Sequence, residues 1–314
     1  MLAARGGRGR ATSARAGSVA DCGYGGLVSD TTRALRVAFS PCPNDTFVFH
    51  ALVHGLVPGA PALNVDYADI DVTNGAAERG EYDLVKVSYA ALPWLLDKYT
   101  LLPCGGALGR GCGPLVLTRE AAAGPAAVAG KKVAVPSDRS TAYLLFRLWS
   151  AEHPPAEVVV RPFHEIMPAV AAGEIDAGLV IHEARFTYQR YGLYSAADLG
   201  DWWESTTGLP IPLGAILARR DLAAQTGVTP TALAEFVRAS VEAAWADPAA
   251  SRKYVLGLAQ EMEDQVVDQH IGLYVNEFTR DLGADGYAAV EALLGRAAAA
   301  GLVPPVDIPR LETV

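Results

Sequence analysis

A chain of 314 residues, 51% of them apolar and 19% charged, can bury a substantial core as one large domain or two small ones. Its formal charge of −9 is uneven, because the first 36 residues hold six arginines against Asp21 and Asp30, which leaves −13 on the remainder. An acidic body repels phosphates and argues against a nucleic-acid partner, and no segment reaches the roughly 18 to 20 apolar residues of a membrane span.

The first thirty-odd residues are rich in Arg, Gly, Ala and Ser and show no hydrophobic periodicity. Residues 1–34 are therefore expected to be a disordered extension, or the product of a start codon placed too early. No apolar stretch of signal-peptide length precedes Cys22, and no amphipathic import helix is evident. Cys22, Cys42, Cys104 and Cys112 form no C-x-x-C pair, so neither a metal site nor a disulfide framework is expected. These features predict a cytoplasmic protein, with reduced thiols, that handles small molecules.

From residue 35 short apolar runs alternate with helical periods. A strand over 35–39 meets the turn Ser-Pro-Cys-Pro-Asn-Asp at 40–45, and a helix follows over 46–54. Strands over 64–69 and 82–87 flank a helix near 73–80, and a helix over 93–98 leads to a strand beginning at 101. A glycine-rich loop over 105–113 and a strand over 114–118 close this series, which implies a mostly parallel sheet. The Ala/Gly/Pro stretch 121–130 marks a boundary. Beyond it come strands at 132–135, 157–161 and 176–181, helices at 140–152 and 165–173, and short helices at 185–191 and 201–206. Leu-Pro-Ile-Pro-Leu-Gly at 209–214 leads into the apolar run 215–218. The rest is helical over 230–246, 249–261, 263–275 and 285–300, with Thr229 as an N-cap and Pro230 in the first turn. The expected fold is α/β with two lobes around a cleft. Residues 35–119 and 211–314 form the first lobe, with the C-terminal helices packed on it, and 120–210 form the second.

Several residues suit chemistry in such a cleft. His182 and Glu183 end the strand 176–181, and ligands in open α/β sheets bind beyond the carboxyl ends of strands. The structural alternative is a histidine that hydrogen-bonds the next loop. The 40–45 turn feeds a helix start whose free N–H groups attract anions, with Ser40 and Asn44 adding hydrogen bonds and Asp45 able to hold a hydroxyl. Simple capping is the competing reading. The turn at 136–142 repeats this design, with Ser140, Thr141 and the N–H of Ala142. Lys86 ends the strand 82–87, and pairs either with a ligand carboxylate or with Asp45. A thiol nucleophile at Cys42 is disfavoured by its flanking prolines and a nearby acid. The glycine-rich 105–113 lacks G-x-x-x-x-G-K-[ST], so it is expected to admit close backbone approach, with Arg110 as an anchor, and not to bind a nucleotide. Arg185-Phe-Thr-Tyr-Gln-Arg-Tyr-Gly (185–192), with Trp202 and Trp203, forms an aromatic cluster suited to core packing or to a planar ligand. His50 and His54 have the i, i+4 spacing of a zinc pair but no H-E-x-x-H, and no metal is expected.

Six blocks carry a family resemblance: Ser-Pro-Cys-Pro-Asn-Asp-Thr-Phe (40–47), Lys-Val-Ser-Tyr (86–89), Gly-Gly-Ala-Leu-Gly-Arg-Gly (105–111), Ile-His-Glu-Ala-Arg-Phe-Thr-Tyr (181–188), Leu-Gly-Asp-Trp-Trp-Glu (199–204) and Thr-Gly-Leu-Pro-Ile-Pro-Leu-Gly-Ala-Ile (207–216). In order and spacing they resemble the 1,4-dihydroxy-6-naphthoate synthases of the futalosine route to menaquinone. The resemblance runs from about residue 36 to the C-terminal helices. It implies a two-lobed fold like the type 2 periplasmic binding proteins, and a lyase that needs no cofactor. The implied reaction cleaves cyclic dehypoxanthinyl futalosine, a small anionic substrate, to 1,4-dihydroxy-6-naphthoate and dihydroxyacetone. His182 falls on the family's catalytic base, and Lys86, Val87, Ser88, Thr141 and Ala142 on its substrate contacts. His182 then places Arg185–Tyr188 in the cleft wall, while the role of Glu183 stays open. Chorismate dehydratase, which shares the fold, and a non-catalytic solute-binding protein are the alternatives. A homodimer is compatible with either reading.

Overall fold

The structure, a computed structural model, describes residues 33–259 and 263–311. The expected extension therefore lies outside the described residues up to position 32, as does Cys22. Residues 33 and 34 belong to the folded body instead. Arg33 donates to both carboxylate oxygens of Asp83, at 2.5 and 2.9 Å, and to Gln225 at 3.0 Å.

The first half of the chain builds most of one sheet, from β1 (Leu35–Phe39), β2 (Leu63–Tyr67), β3 (Leu84–Ser88) and β4 (Tyr99–Gly109). Between these strands lie α1 (Pro43–Val53), α2 (Ile70–Arg79) and α3 (Leu92–Leu95). β3 is buried along its whole length, as expected of a central strand covered on both faces. The second sheet uses β5 (Leu115–Thr118), β6 (Lys132–Val135), β7 (Glu157–Val160), β8 (Ala177–Val180) and β9 (Tyr194–Asp198). Its helices are α4 (Thr141–Trp149), α5 (Phe163–Ala172), α6 (Ala184–Thr187) and α7 (Leu199–Thr207). The chain then returns to the first sheet as β10 (Ile211–Arg219) and ends in helices. These are α8 (Leu222–Thr226), α9 (Pro230–Ala246), α10 (Arg252–Leu258), α11 (Asp264–Tyr274), α12 (Glu277–Arg280) and α13 (Gly283–Ala299).

Strand order is β2-β1-β3-β10-β4 in the first sheet and β7-β6-β8-β5-β9 in the second. Each sheet is mixed, which corrects the mostly parallel expectation. β10 runs antiparallel to β3 and β4, and β5 antiparallel to β8 and β9. Three further corrections bear on the cleft. β5 belongs to the second sheet, so the chain leaves the first lobe over residues 110–114 and not after 119. Residues 105–109 are strand and not loop, because the glycine-rich end of β4 pairs with β10 through two register shifts. β9 escaped the sequence reading because Tyr-Ser-Ala-Ala-Asp is a half-exposed edge strand without an apolar run.

The two sheets share packing. One hydrophobic cluster joins Val85, Tyr99 and Leu293 on the first-lobe side with Val133, Leu145 and Trp203 on the second. A separate cluster under the first sheet packs Phe39, Phe49 and Val237, and so fixes α1 against the sheet and beside α9. Thr229 caps α9 as expected, its hydroxyl accepting from the Ala232 N–H at 3.1 Å, and Pro230 opens the helix.

Where the chain crosses between lobes, backbone meets backbone. A Cβ at Gly113 would lie 2.0 Å from the Gly200 nitrogen, and Asp198 accepts from that same N–H at 2.8 Å. Gly113→Ala must therefore push the crossing segment away from the start of α7. We expect it to cost about 1–3 kcal/mol in urea unfolding. An unchanged midpoint would show that the crossing has room to spare.

Candidate active site

Segments of both lobes converge on one cavity. The 40–45 turn and α1 supply Ser40, Asn44 and Asp45, and β3 supplies Lys86 and Ser88. β10 adds Leu213 and Gly214, and α11 adds His270 and Tyr274. From the second lobe come Ser140, Thr141 and Ala142 at the start of α4, and Ile181 and His182 beyond β8.

The floor is a buried ion pair. The Lys86 ammonium reaches Oδ1 of Asp45, with side chains only 8% and 1% exposed. Asp45 also accepts from the Ser40 hydroxyl at 2.9 Å and from Asn44 Nδ2 at 2.8 Å. The carboxylate thus has donors on both oxygens, as a buried charge requires. β10 leaves room for the lysine by placing Gly214 against it, where a Cβ would fall 2.8 Å from Lys86 Cε. Ser88 is held by Asn74, whose Nδ2 donates to the Ser88 hydroxyl oxygen at 3.2 Å and whose Oδ1 accepts from the Ser88 N–H at 2.8 Å.

His182 has φ +55°, the one positive value outside glycine among the described residues. Non-glycine residues in this region are uncommon and concentrate where a side chain must be aimed. Here the turn ends β8 abruptly and delivers the imidazole to the junction of the lobes. Its Nδ1 lies 3.3 Å from Cys42 Sγ, and the Phe163 ring packs edge-on at 5.6 Å. Burial, and next the Glu183 carboxylate, push the Cys42 thiol well above its ordinary range. It faces the imidazole as a protonated thiol, which does not suit a nucleophile.

His270 stands across from it. The two imidazoles are nearly parallel, with an interplanar angle of 10° and centroids 6.2 Å apart. His270 Nε2 lies 3.0 Å from Asn44 Oδ1, and Tyr274 packs on its ring at 4.6 Å. Burial drives the His270 pKa well below the usual histidine range, helped by the neighbouring His182 ring and Lys86 ammonium. It is a neutral imidazole.

Of the residues expected from sequence, Ser40, Asn44, Asp45, Lys86, Ser88, Thr141, Ala142 and His182 line this cavity. Val87 does not. Strand alternation turns its side chain away from Lys86 and Ser88, into the core. Ser140 caps α4, accepting from the Tyr143 N–H at 3.2 Å. The Thr141 hydroxyl donates to the Leu213 carbonyl at 2.8 Å and accepts from the Ala90 N–H at 3.2 Å, tying α4 to the first lobe. The expected wall Arg185–Tyr188 is displaced from the cavity. Arg185 instead donates to the Gly113 carbonyl at 2.8 Å and pairs with Asp198, bracing the crossing. Trp203 is core, its Nε1 donating to the Pro210 carbonyl at 2.9 Å, and Arg110 pairs with Glu204. His50 and His54 stack with centroids 4.4 Å apart, beside Tyr254. Among the described residues the group able to hold a metal ion is Cys42, His182 and Glu183, whose ligand atoms lie within 4.8 Å of one another.

Sequence reasoning missed His270 and Tyr274. With Val266 they fall at i, i+4 and i+8 on α11, a spacing that reads as core packing, and they are indeed buried. The signal available was a histidine in an otherwise apolar stripe.

A two-lobed α/β fold with titratable groups from both lobes around one cavity defines a binding-protein-like enzyme. Residues 35–299 match the family described as Menaquinone biosynthesis. The chain is 70% identical over 273 residues to a 1,4-dihydroxy-6-naphthoate synthase of Streptomyces coelicolor, covering 86% of this chain and 95% of that one. It is 49% identical to a 1,4-dihydroxy-6-naphthoate synthase of Thermus thermophilus, covering 88% of this chain and 98% of that one. Among solved structures, a protein of Archaeoglobus fulgidus aligns with TM-score 0.79 and 33% identity over 87% of this chain and all of that one. The alkanesulfonate-binding protein of Xanthomonas axonopodis aligns with TM-score 0.67 and 17% identity over 87% and 94%, which shows the periplasmic-binding-protein-like fold. The chain belongs to the menaquinone-biosynthesis family, with 1,4-dihydroxy-6-naphthoate synthases as relatives, and is an enzyme of that pathway. Among the described residues no helix is long and apolar enough to cross a membrane.

The ion pair yields a stability test. Lys86→Met leaves the Asp45 carboxylate buried without its counter-charge, and we expect a loss of about 3–5 kcal/mol in urea unfolding. Adding Asp45→Asn to that variant should restore most of the loss. Additive losses in the double variant would show that the two groups do not interact.

Proposed function

We propose that the protein is a cofactor-independent carbon–carbon lyase that converts cyclic dehypoxanthinyl futalosine to 1,4-dihydroxy-6-naphthoate and dihydroxyacetone in the cytoplasm, with His182 as general base. The observation that carries the reaction is the 70% identity to the Streptomyces coelicolor synthase across nearly all of that enzyme. What carries the base is the left-handed turn that aims His182 into the cavity.

The substrate carries a carboxylate on a ring system and hydroxyls on its sugar-derived part. Lys86, with the Ser88 hydroxyl and the start of α4, offers the donors that suit the carboxylate. Asn44 and Asp45 were expected to orient hydroxyls, but their polar atoms already hold Lys86 and His270. Their part is to fix those two groups. His182 removes a proton beside the ring carbonyl, the electron pair breaks the bond to the sugar-derived fragment, the departing fragment takes up one proton, and the ring becomes aromatic. General-base catalysis of this kind contributes on the order of 10²- to 10⁴-fold. Cys42 and Phe163 hold the imidazole in one orientation.

His182→Ala should fold as the parent does and lose about 10²- to 10⁴-fold in kcat on cyclic dehypoxanthinyl futalosine. Parent-like turnover by this variant would remove His182 from the role of base. Purified protein that dehydrates chorismate, and leaves the cyclic substrate untouched, would move the chain to the sister activity.

A further inference from the structure

One atom of the cavity is left unexplained by the fold. His270 is 1% exposed, and its Nδ1 is buried with no hydrogen-bond partner among the described residues. The neighbouring hydrogen bonds define its state. Asn44 Nδ2 is spent on Asp45, so Asn44 presents its carbonyl oxygen to His270 Nε2. An amide oxygen only accepts, so Nε2 carries the proton, and in a neutral ring Nδ1 is then a bare lone pair. The low pKa of this buried ring agrees with that tautomer. Buried polar atoms are nearly always paired, and an exception in a binding cavity points to a missing ligand group.

We infer that Nδ1 of His270 accepts a hydrogen bond from a hydroxyl on the sugar-derived fragment of the bound substrate. The inference rests on the functional reading above for the substrate's identity. A bare imidazole nitrogen accepts from O–H and N–H groups and repels a carboxylate, so it selects the hydroxylated end of the molecule. The connected chain Lys86, Asp45, Asn44 and His270 then sets two recognition points on one rigid frame. Lys86 takes the carboxylate at one end and His270 takes a hydroxyl at the other. The leaving fragment is thereby held between His270 on the first lobe and His182 on the second.

Two isosteres separate this role from simple support of Asn44. Gln places an amide nitrogen where Nε2 was and lacks the acceptor at Nδ1, whereas Asn places an oxygen at Nδ1 and loses the bond to Asn44. His270→Gln should lose about tenfold in kcat/KM on the cyclic substrate, with unchanged affinity for 1,4-dihydroxy-6-naphthoate, while His270→Asn stays within about threefold of the parent. The reverse ranking overturns the inference. Imidazole ¹⁵N spectra of the unliganded parent read the tautomer without any turnover. Protonated Nε2 with bare Nδ1 is expected, and a protonated Nδ1 overturns it even if a variant fails to fold. Titration with dihydroxyacetone, as probe for the fragment, should shift the Nδ1 resonance. No shift at saturation overturns the contact. Failure of the parent to turn over the cyclic substrate would instead sink the functional reading, and leaves the tautomer and the dihydroxyacetone contact to be judged on the spectra.

Discussion

The buried Lys86–Asp45 pair is the constraint on which the site depends. Two opposite charges taken out of water are tolerable only when every remaining lone pair and proton finds a partner, and that requirement fixes their neighbours. Ser40 and Asn44 must turn toward Asp45, which sets the conformation of the turn between β1 and α1. Gly214 must lack a side chain, which sets how closely β10 approaches β3. Asn44, oriented by its bond to Asp45, can only present its carbonyl to His270. One ion pair thus determines the direction of groups on the turn after β1 and on β3, β10, α1 and α11. Such a pair adds little net stability over an apolar replacement, so its value lies in specifying geometry.

The catalytic geometry is divided between lobes. His182 comes from the second sheet, and it faces Cys42 and His270 from the first. The protein compensates with packing that runs continuously across both sheets and with direct ties such as Thr141 to Leu213. Arg185 contributes in the same way. It lies three residues past His182 yet spends its guanidinium on Gly113 and Asp198, so the turn carrying His182 is braced to the chain crossing.

Much of this was legible in the sequence, and the failures have physical causes. Period and capping signals located α9 to the residue, because Thr229 and Pro230 mark its start without ambiguity. The block around 40–45 and the strand-end histidine were found because hydroxyls, amides and imidazoles at the ends of apolar runs are rare enough to notice. The first crossing was misplaced because the apolar strand Leu115–Thr118 looks the same whichever sheet it joins. Strand membership depends on long-range pairing, which local pattern does not encode. Val87 was carried along with its neighbours in a motif, while the pleat of β3 turns alternate residues to opposite faces. His270 was hidden for the opposite reason: a buried polar residue on an amphipathic helix carries the spacing of a core position. Its function lies in a single unpaired nitrogen, which exists only once the partners from α1 are in place.

The left-handed backbone of His182 also limits how this position can vary. Asn, Asp and Gly adopt such a conformation with little strain, whereas β-branched residues resist it. Replacement by Val or Ile would remove the imidazole and also force the turn after β8 to rearrange, disturbing Glu183 and the Arg185 brace. Position 182 therefore offers few single-step routes to a new side chain on an intact scaffold. The turn restricts the evolutionary alternatives at 182 more tightly than the chemistry alone would.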